Sequence, residues 1–381
     1  MLTVHSLVQC VTTVGASAPR EITSRIKTDN EMQAVLKPPS VGAIERFTPR
    51  NASSKEFVAF AALRNRIRAE ELPDDPPIPV AEYVRRLQNV SPAVAVTIWV
   101  VWNLDRTAIV ASGSVQFTTF GEDRNTATIR INVLTEFRRQ GIGSRLLLLI
   151  AEFAQRADRP LLQAHTSGRI PAGEAFLTRL GATKGLESHV NQLDLAELDL
   201  EELSRSIHEI ANRATGFDLL FWTGAYPEEH IEAIAELHNV INHQPRGSLE
   251  VKDIHFTPDH VRAIEHQTFA NGAERWSLYA REIRTGKLAG FTQVYWHPNR
   301  PTLLQQSFTG VFPEYRNCGL GRWLKLAMLE KVMNQRQPVR FVRTDNANSN
   351  LAMLRINTLL GFKEYSSSTI WQWSGAKQSI I

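Results

Sequence analysis

Residues 133–143 read Val133-Leu-Thr-Glu-Phe-Arg138-Arg-Gln-Gly141-Ile-Gly143, and residues 311–321 read Val311-Phe-Pro-Glu-Tyr-Arg316-Asn-Cys-Gly319-Leu-Gly321. The second stretch repeats the first position by position: Arg316 answers to Arg138, Gly319 to Gly141 and Gly321 to Gly143. Each follows a β-rich run (residues 128–133, 305–311) and opens an amphipathic helical pattern (residues 145–153, 323–333). Strand, glycine-bearing loop and helix in that order make an anion site. Glycines let the backbone approach a ligand with no Cβ in the way. Free N–H groups at a helix N-terminus, aided by the helix dipole, hold phosphate oxygens. A leading arginine adds a charge-assisted contact. The third glycine of a dinucleotide fingerprint is missing, and so is the Gly-Lys-Ser/Thr of a Walker loop.

Further pairs of segments repeat in the same order. Residues 57–67 match 231–241, and both end in Asn-x-Ile. Residues 111–117 match 288–294, with Gly113 answering to Gly290, and Leu180-Gly181 matches Leu360-Gly361. The offset between partners grows only slightly from the first pair to the last. A constant order with so small a drift means two copies of one fold, each of domain size. The division read from this is a tail at 1–40, a first copy at 41–212 and a second at 213–381. In the second copy the pattern predicts strands at 218–223, 276–284, 288–297, 305–311, 339–344 and 363–372. Helices are predicted at 228–242, 258–271, 320–334 and 351–360. This is a mixed α/β fold.

The composition is that of a globular protein: 381 residues, 43% hydrophobic and 22% charged. The net charge of +4 comes with no Lys/Arg block that would track a phosphate backbone, so no nucleic acid is expected. Cys10 and Cys318 can build neither a disulfide framework nor a zinc site, and no metal is expected. No apolar run reaches the roughly 18–20 residues of a membrane span. Residues 1–18 lack the charged start of a signal peptide. A loose tail on a cytoplasmic monomer or homodimer is expected, with Met32 as an alternative true start.

The two loops resemble the Arg/Gln-x-x-Gly-x-Gly/Ala pyrophosphate motif of the GNAT superfamily of acyl-CoA-dependent N-acyltransferases. The family's downstream Asn-x-x-Ala-x-x-Leu-Tyr-x-x-x-Gly-Phe has a counterpart from Asn350 through Asn357 to Gly361-Phe362. The resemblance spans roughly residues 41–381 and implies two tandem GNAT-like domains. It implies a twisted mixed sheet that splays between its fourth and fifth strands, with acetyl-CoA in the splay. The pyrophosphate would lie on Arg138, Arg139, Gln140, Gly141, Ile142, Gly143 and Ser144, or on Arg316, Asn317, Cys318, Gly319, Leu320, Gly321 and Arg322. Pantetheine would run beside Val133, or Val311 and Phe312, held in the second copy by Asn350. Catalysis would sit mainly in the second copy, which keeps both motifs, and would acetylate the primary amine of a small molecule.

The family's acidic tyrosine falls at Asn357, which can only donate a hydrogen bond, and at Leu177 in the first copy. No carboxylate occurs on residues 127–134 or 302–313. The base is therefore a water relay, Asp345 or Glu282. For Asn350 and Asn346 an N-cap or turn role stands beside a ligand role. Cys318 reads as a variable loop position, Glu136 and Glu314 as turn carboxylates, and Trp296, Trp323, Trp371 and Trp373 as core or strand-face residues. A non-catalytic acyl-CoA-binding module and a protein-modifying acetyltransferase remain as alternatives.

Overall fold

The computed structural model describes residues 41–91, 94–119, 125–336 and 338–374. The tail at 1–40, with Cys10 and Met32, lies outside them. The first copy runs β1 (Val41–Phe47), α1 (Ser54–Glu71), α2 (Val80–Gln88), β2 (Val94–Asn103), β3 (Ile109–Thr118), β4 (Thr126–Val133), α3 (Ile142–Arg156), β5 (Leu161–Ser167), α4 (Pro171–Arg179) and β6 (Thr183–Asp194). A linking helix, α5 (Leu200–Arg213), follows. The second copy runs β7 (Phe217–Thr223), α6 (Ile231–His238), α7 (Pro258–Ala270), β8 (Glu274–Glu282), β9 (Leu288–Trp296), β10 (Leu303–Val311), α8 (Leu320–Gln335), β11 (Phe341–Ala347), α9 (Leu351–Leu359) and β12 (Lys363–Ser374).

The helix expected at 228–242 is interrupted. Only Ile231–His238 is α-helical, between 3-10 turns at Glu228–His230 and Asn239–His243. The side chains of Asn239 and Asn242 accept from the backbone N–H groups of Phe256 and Ile254, 2.8 and 3.0 Å away. Such side-chain bonds to backbone compete with helix propagation.

All twelve strands form one sheet in the order β1-β2-β3-β4-β5-β12-β6-β11-β10-β9-β8-β7. The copies have exchanged their last strands. β12 lies between β5 and β6 of the first copy, and β6 lies between β12 and β11 of the second. Apolar side chains travel with them. Trp373 packs into the core of the first copy, and Leu193 and Leu195 into that of the second.

In each copy the parallel pair opens part-way. β4 pairs with β5 over Thr126–Ile129 and continues to Val133 without β5, paired only with β3. β10 pairs with β11 over Leu303–Gln305 and continues to Val311 without β11, paired only with β9. The splay expected between the fourth and fifth strands is present twice. The second copy's core divides between the faces of the sheet. α5 and α8 cover one, and α6 and α7 cover the other, over Tyr279, Phe291 and Phe308.

The α1–α2 segment of the first copy docks on the second. Asp75 pairs with Arg343 at 2.5 Å, and the Tyr365 hydroxyl donates to Asp74 at 2.9 Å. Glu82 of α2 receives Arg300 at 3.1 Å and Asn299 at 2.8 Å. No helix among the described residues is long and apolar enough to cross a membrane.

Candidate functional site

The two loops have one backbone conformation. Arg139 and Gly141 in the first, and Asn317 and Gly319 in the second, all have φ between +63° and +81°. Left-handed residues set among right-handed ones turn successive N–H groups into one concavity, an anion nest. α3 and α8 start at Ile142 and Leu320, both buried, so each nest opens onto a helix N-terminus. Gly143 and Gly321 face the next helix at ordinary packing distance. A Cβ there would stand 3.7 Å from Phe176 of α4 and 3.6 Å from Ile356 of α9.

Arg138 and Arg316, expected to touch the anion directly, are turned elsewhere. Their Nε atoms donate to the carbonyls of Val133 and Val311, at 3.0 and 3.2 Å, bracing loop to strand end. Arg138 also pairs with Glu70 of α1 at 2.5 Å, because α1 ends beside the loop. The two mouths differ. A Cβ at Gly141 would meet nothing within 4 Å, whereas one at Gly319 would lie 3.4 Å from Ile210 of α5. Near the second loop, the Nε of Arg322 is buried without a hydrogen-bond partner among the described residues. Cys318 is exposed.

The edges of the splays differ too. β10 carries a bulge between Gln306 and Thr309, while β4 pairs with β3 in unbroken register. Within the bulge the Ser307 hydroxyl is buried without a hydrogen-bond partner among the described residues. Bulges of this kind re-aim strand residues and recur beside active sites. On the α6 side, Val240 packs against the open part of β10, where a Cβ at Gly310 would come within 2.5 Å of it.

Comparison with known proteins agrees with this geometry. Residues 60–181 match the Acetyltransferase (GNAT) family. A tandem GNAT protein from the clavulanic acid biosynthesis pathway, solved without AcCoA, superposes with a TM-score of 0.72 at 25% identity, over 88% of this chain and 99% of that one. Residues 60–181 thus match the GNAT family, and the chain as a whole has the fold of that tandem GNAT protein. The mycothiol acetyltransferase of Catenulispora acidiphila is 26% identical over 254 residues, covering 64% of this chain and 72% of that protein. A GCN5-related N-acetyltransferase from Sphaerobacter thermophilus shares the fold, with a TM-score of 0.61 at 14% identity, over 88% of this chain and 96% of that one.

Asn357 is not free to act on a ligand. It is 2% exposed, its Oδ1 accepts from the Lys325 ammonium, and its Nδ2 donates to Asn346 at 2.6 Å. Asn350 is the N-cap of α9, accepting from the Met353 N–H at 3.3 Å. Glu282 ends β8, two strands from β10, and is bonded to Thr285 and Tyr315. Of the expected catalytic residues, Asp345 alone reaches the splay. It stands on β11 two residues past the last pair with β10, and burial raises its carboxyl to about 6 despite a Ser188 hydrogen bond.

His165 of β5 holds the matching place in the first copy, because Leu161 and Phe341 begin their strands at equivalent points of the two pairs. The repeat could have found it, since the offset that links Gly181 to Gly361 also links His165 to Asp345. Arg64 of α1 and Arg130 of β4, on the same side of the first splay, escape the sequence reading as well.

Lys325 is a buried ammonium with Asn357 and the Phe362 ring as its partners, and burial lowers it to about 7. The folded value lies below the ordinary 10.5, so the unfolded chain binds the extra proton between those limits, and stability rises with pH across that window. Lys325→Met removes this dependence. The variant is expected to gain on the order of 2–4 kcal/mol relative to wild type below pH ~7, after the loss of the Asn357 contact, and to lose that advantage by pH ~10. Urea melts across this range measure it. A difference that does not change with pH would show Lys325 titrating normally.

Proposed function

We propose that this protein transfers an acetyl group from acetyl-CoA to the primary amine of a small molecule by direct attack. The observation that carries the reading is the anion nest at the mouth of a splayed parallel pair, present twice in a GNAT fold. The cradle fits a pyrophosphate: N–H groups line it, and at Gly141 the space a Cβ would fill is open. The amine nitrogen attacks the thioester carbonyl carbon, the C–N bond forms and the C–S bond breaks. The proton leaves the nitrogen for a base at the splay edge, and the thiolate leaves with a proton from solvent.

We place the reaction in the first copy, with His165 beside the splay. Its loop mouth is open, whereas α5 lies against Gly319 and Val240 against Gly310 in the second. The second reading keeps turnover in the second copy, with Asp345 as base. It is favoured by that carboxyl's rise to about 6 and by the β10 bulge.

Gly141→Ala and Gly319→Ala separate the two. A methyl at either φ adds a strain of about 1 kcal/mol and enters the cradle. Gly141→Ala is expected to weaken acetyl-CoA binding at least tenfold by calorimetry and to abolish most thiol release over a panel of amines. Gly319→Ala is expected to keep thiol release. The reverse result moves the reaction to the second copy. Unchanged acetyl-CoA binding in both variants would remove the acyl-CoA reading, and binding without thiol release would leave a non-catalytic module.

A further inference from the structure

The inward stripe of α1 is Phe57, Phe60, Arg64 and Ile67, at helical spacing. Phe57, Phe60 and Ile67 are buried, yet Arg64 in their midst is only half-buried. Its guanidinium has no hydrogen bond or ion pair among the described residues. A residue on the core-facing stripe that still reaches solvent lines a cleft. The repeat supplies the contrast. His238 holds this place in the second copy and is buried, 3.4 Å from the Tyr279 hydroxyl and 3.3 Å from Gln293.

Arg130 faces Arg64 from β4. The last β4–β5 pair is Ile129 with Ala164, so Arg130 is the first residue of the open part of the strand. Ile131 pairs with Gly113, whose α3-facing side meets Leu146 and Ile150. Strand alternation therefore turns Arg130 to the α1 face. Arg130 is exposed and, among the described residues, unpaired. Burial, and then Arg130, push Arg64 down to about 10.

The surrounding carboxylates other than Glu71 are engaged. Glu70 holds Arg138, Asp75 holds Arg68 and Arg343, Asp74 accepts from Tyr365, and Glu136 holds Arg66. Glu71, Tyr83 and Arg68 also act on Arg64 at longer range, and none is bonded to it. Two guanidiniums that share a cleft, with no carboxylate bonded to either among the described residues, repel one another, and an anion between them relieves that. This anion is separate from the one in the nest, since Arg130 lies within the splay and the nest begins only after β4 has ended at Val133.

We propose that the cleft between α1 and β4 binds a carboxylate of the amine acceptor through Arg64 and Arg130. The acceptor class is then an amino-acid-like or peptide-like amine with a free carboxylate. The proposal rests on acetyl transfer in the first copy, and the test separates the two. Full-length wild type, Arg64→Gln, Arg130→Gln and Arg64→Lys are compared with acetyl-CoA and either glycylglycine or its C-terminal amide. Neither arginine has a hydrogen-bond or ion-pair partner to lose among the described residues, so the folds are expected to stay intact.

Wild type is expected to favour glycylglycine over the amide at least tenfold in kcat/KM. Each Gln variant is expected to raise KM for glycylglycine about tenfold, leave the amide unchanged and keep acetyl-CoA affinity, with partial rescue in Arg64→Lys. Equal use of acid and amide, unchanged by the Gln variants, overturns the proposal. If neither dipeptide is acetylated, succinate decides. A thermal shift in wild type that Arg64→Gln abolishes supports the anion site and leaves acetyl transfer as the failed part. Equal shifts, or none, overturn the site.

Discussion

Residues 41–215 produced alone are expected to stay unfolded, and so are residues 216–381, while the two produced together form a stable one-to-one complex. The strand order gives the reason. Without the second half, β6 loses both neighbours and β5 loses one. Without the first half, β12 loses both and β11 loses β6. Unpaired backbone N–H and C=O groups then run along open edges, which invite aggregation.

The cores are incomplete as well. The first lacks Trp373, and the second lacks Leu193, Leu195, Leu203 and Ile210. Each such side chain contributes about 1.5–3 kcal/mol of burial, and domains of this size have only ~5–15 kcal/mol in total. Circular dichroism and light scattering on the separate and co-produced halves check this. A cooperative melt from either half alone, as a monomer, would show that strand exchange is dispensable. Cleavage at the α5–β7 turn, by contrast, leaves every strand pair in place and is expected to be tolerated.

Much of this fold was legible in the sequence, for local reasons. The loops, the helices after them and most strands of the second copy follow from periodicity and glycine placement, which act over a few residues. The repeat gave the tandem arrangement. Neither could reveal the exchange of β6 and β12, because a strand's alternation shows that it has two faces and not which neighbours it takes.

The β10 bulge shows the same limit. Gly113 and Gly290 match in sequence, yet Gly113 pairs with Ile131 and Gly290 with Val311, a difference in register of which the extra residue in β10 supplies one step. At the site, the cradle glycines were readable because the left-handed backbone of Gly141 and Gly319 favours glycine wherever it occurs. Arg138 looked like an anion ligand because its partner Glu70 stands far back in the chain, on α1. Arg64 was hidden for the opposite reason: an arginine on a helical stripe reads as a solvated face until its neighbours on that stripe prove to be buried. Asn357 was in the expected place, but Lys325 on another helix had already taken its oxygen.

Glu82→Gln is expected to destabilise the whole chain by about 3 kcal/mol, although α2 is a short helix far from either nest. The carboxylate is fully buried among Arg86, Arg300 at 3.1 Å, Asn299 at 2.8 Å and His297 at 3.7 Å. Burial alone would raise it. Arg86, the Asn299 hydrogen bond and Arg300 together outweigh burial and hold it at about 2. Removing one side of a buried ion pair typically costs ~3–5 kcal/mol, because the partners stay buried without compensation.

The pH dependence gives the same size independently. A carboxylate held near 2 against an ordinary 4.5 contributes about 3 kcal/mol above pH ~4.5, lost progressively as pH falls through 2. Wild type and Glu82→Gln are therefore expected to differ most at neutral pH and to converge in acid, as urea melts between about pH 7 and 2.5 would record. A constant small difference would mean that the cluster is solvated and the seam is held by Asp75 and Arg343 instead. Because α1 and α2 are consecutive and Glu82 ties α2 to the β9–β10 turn, loosening it frees the helix that carries Arg64. The variant is accordingly expected to raise KM for a carboxylate-bearing acceptor while acetyl-CoA affinity, set at the nest, stays unchanged.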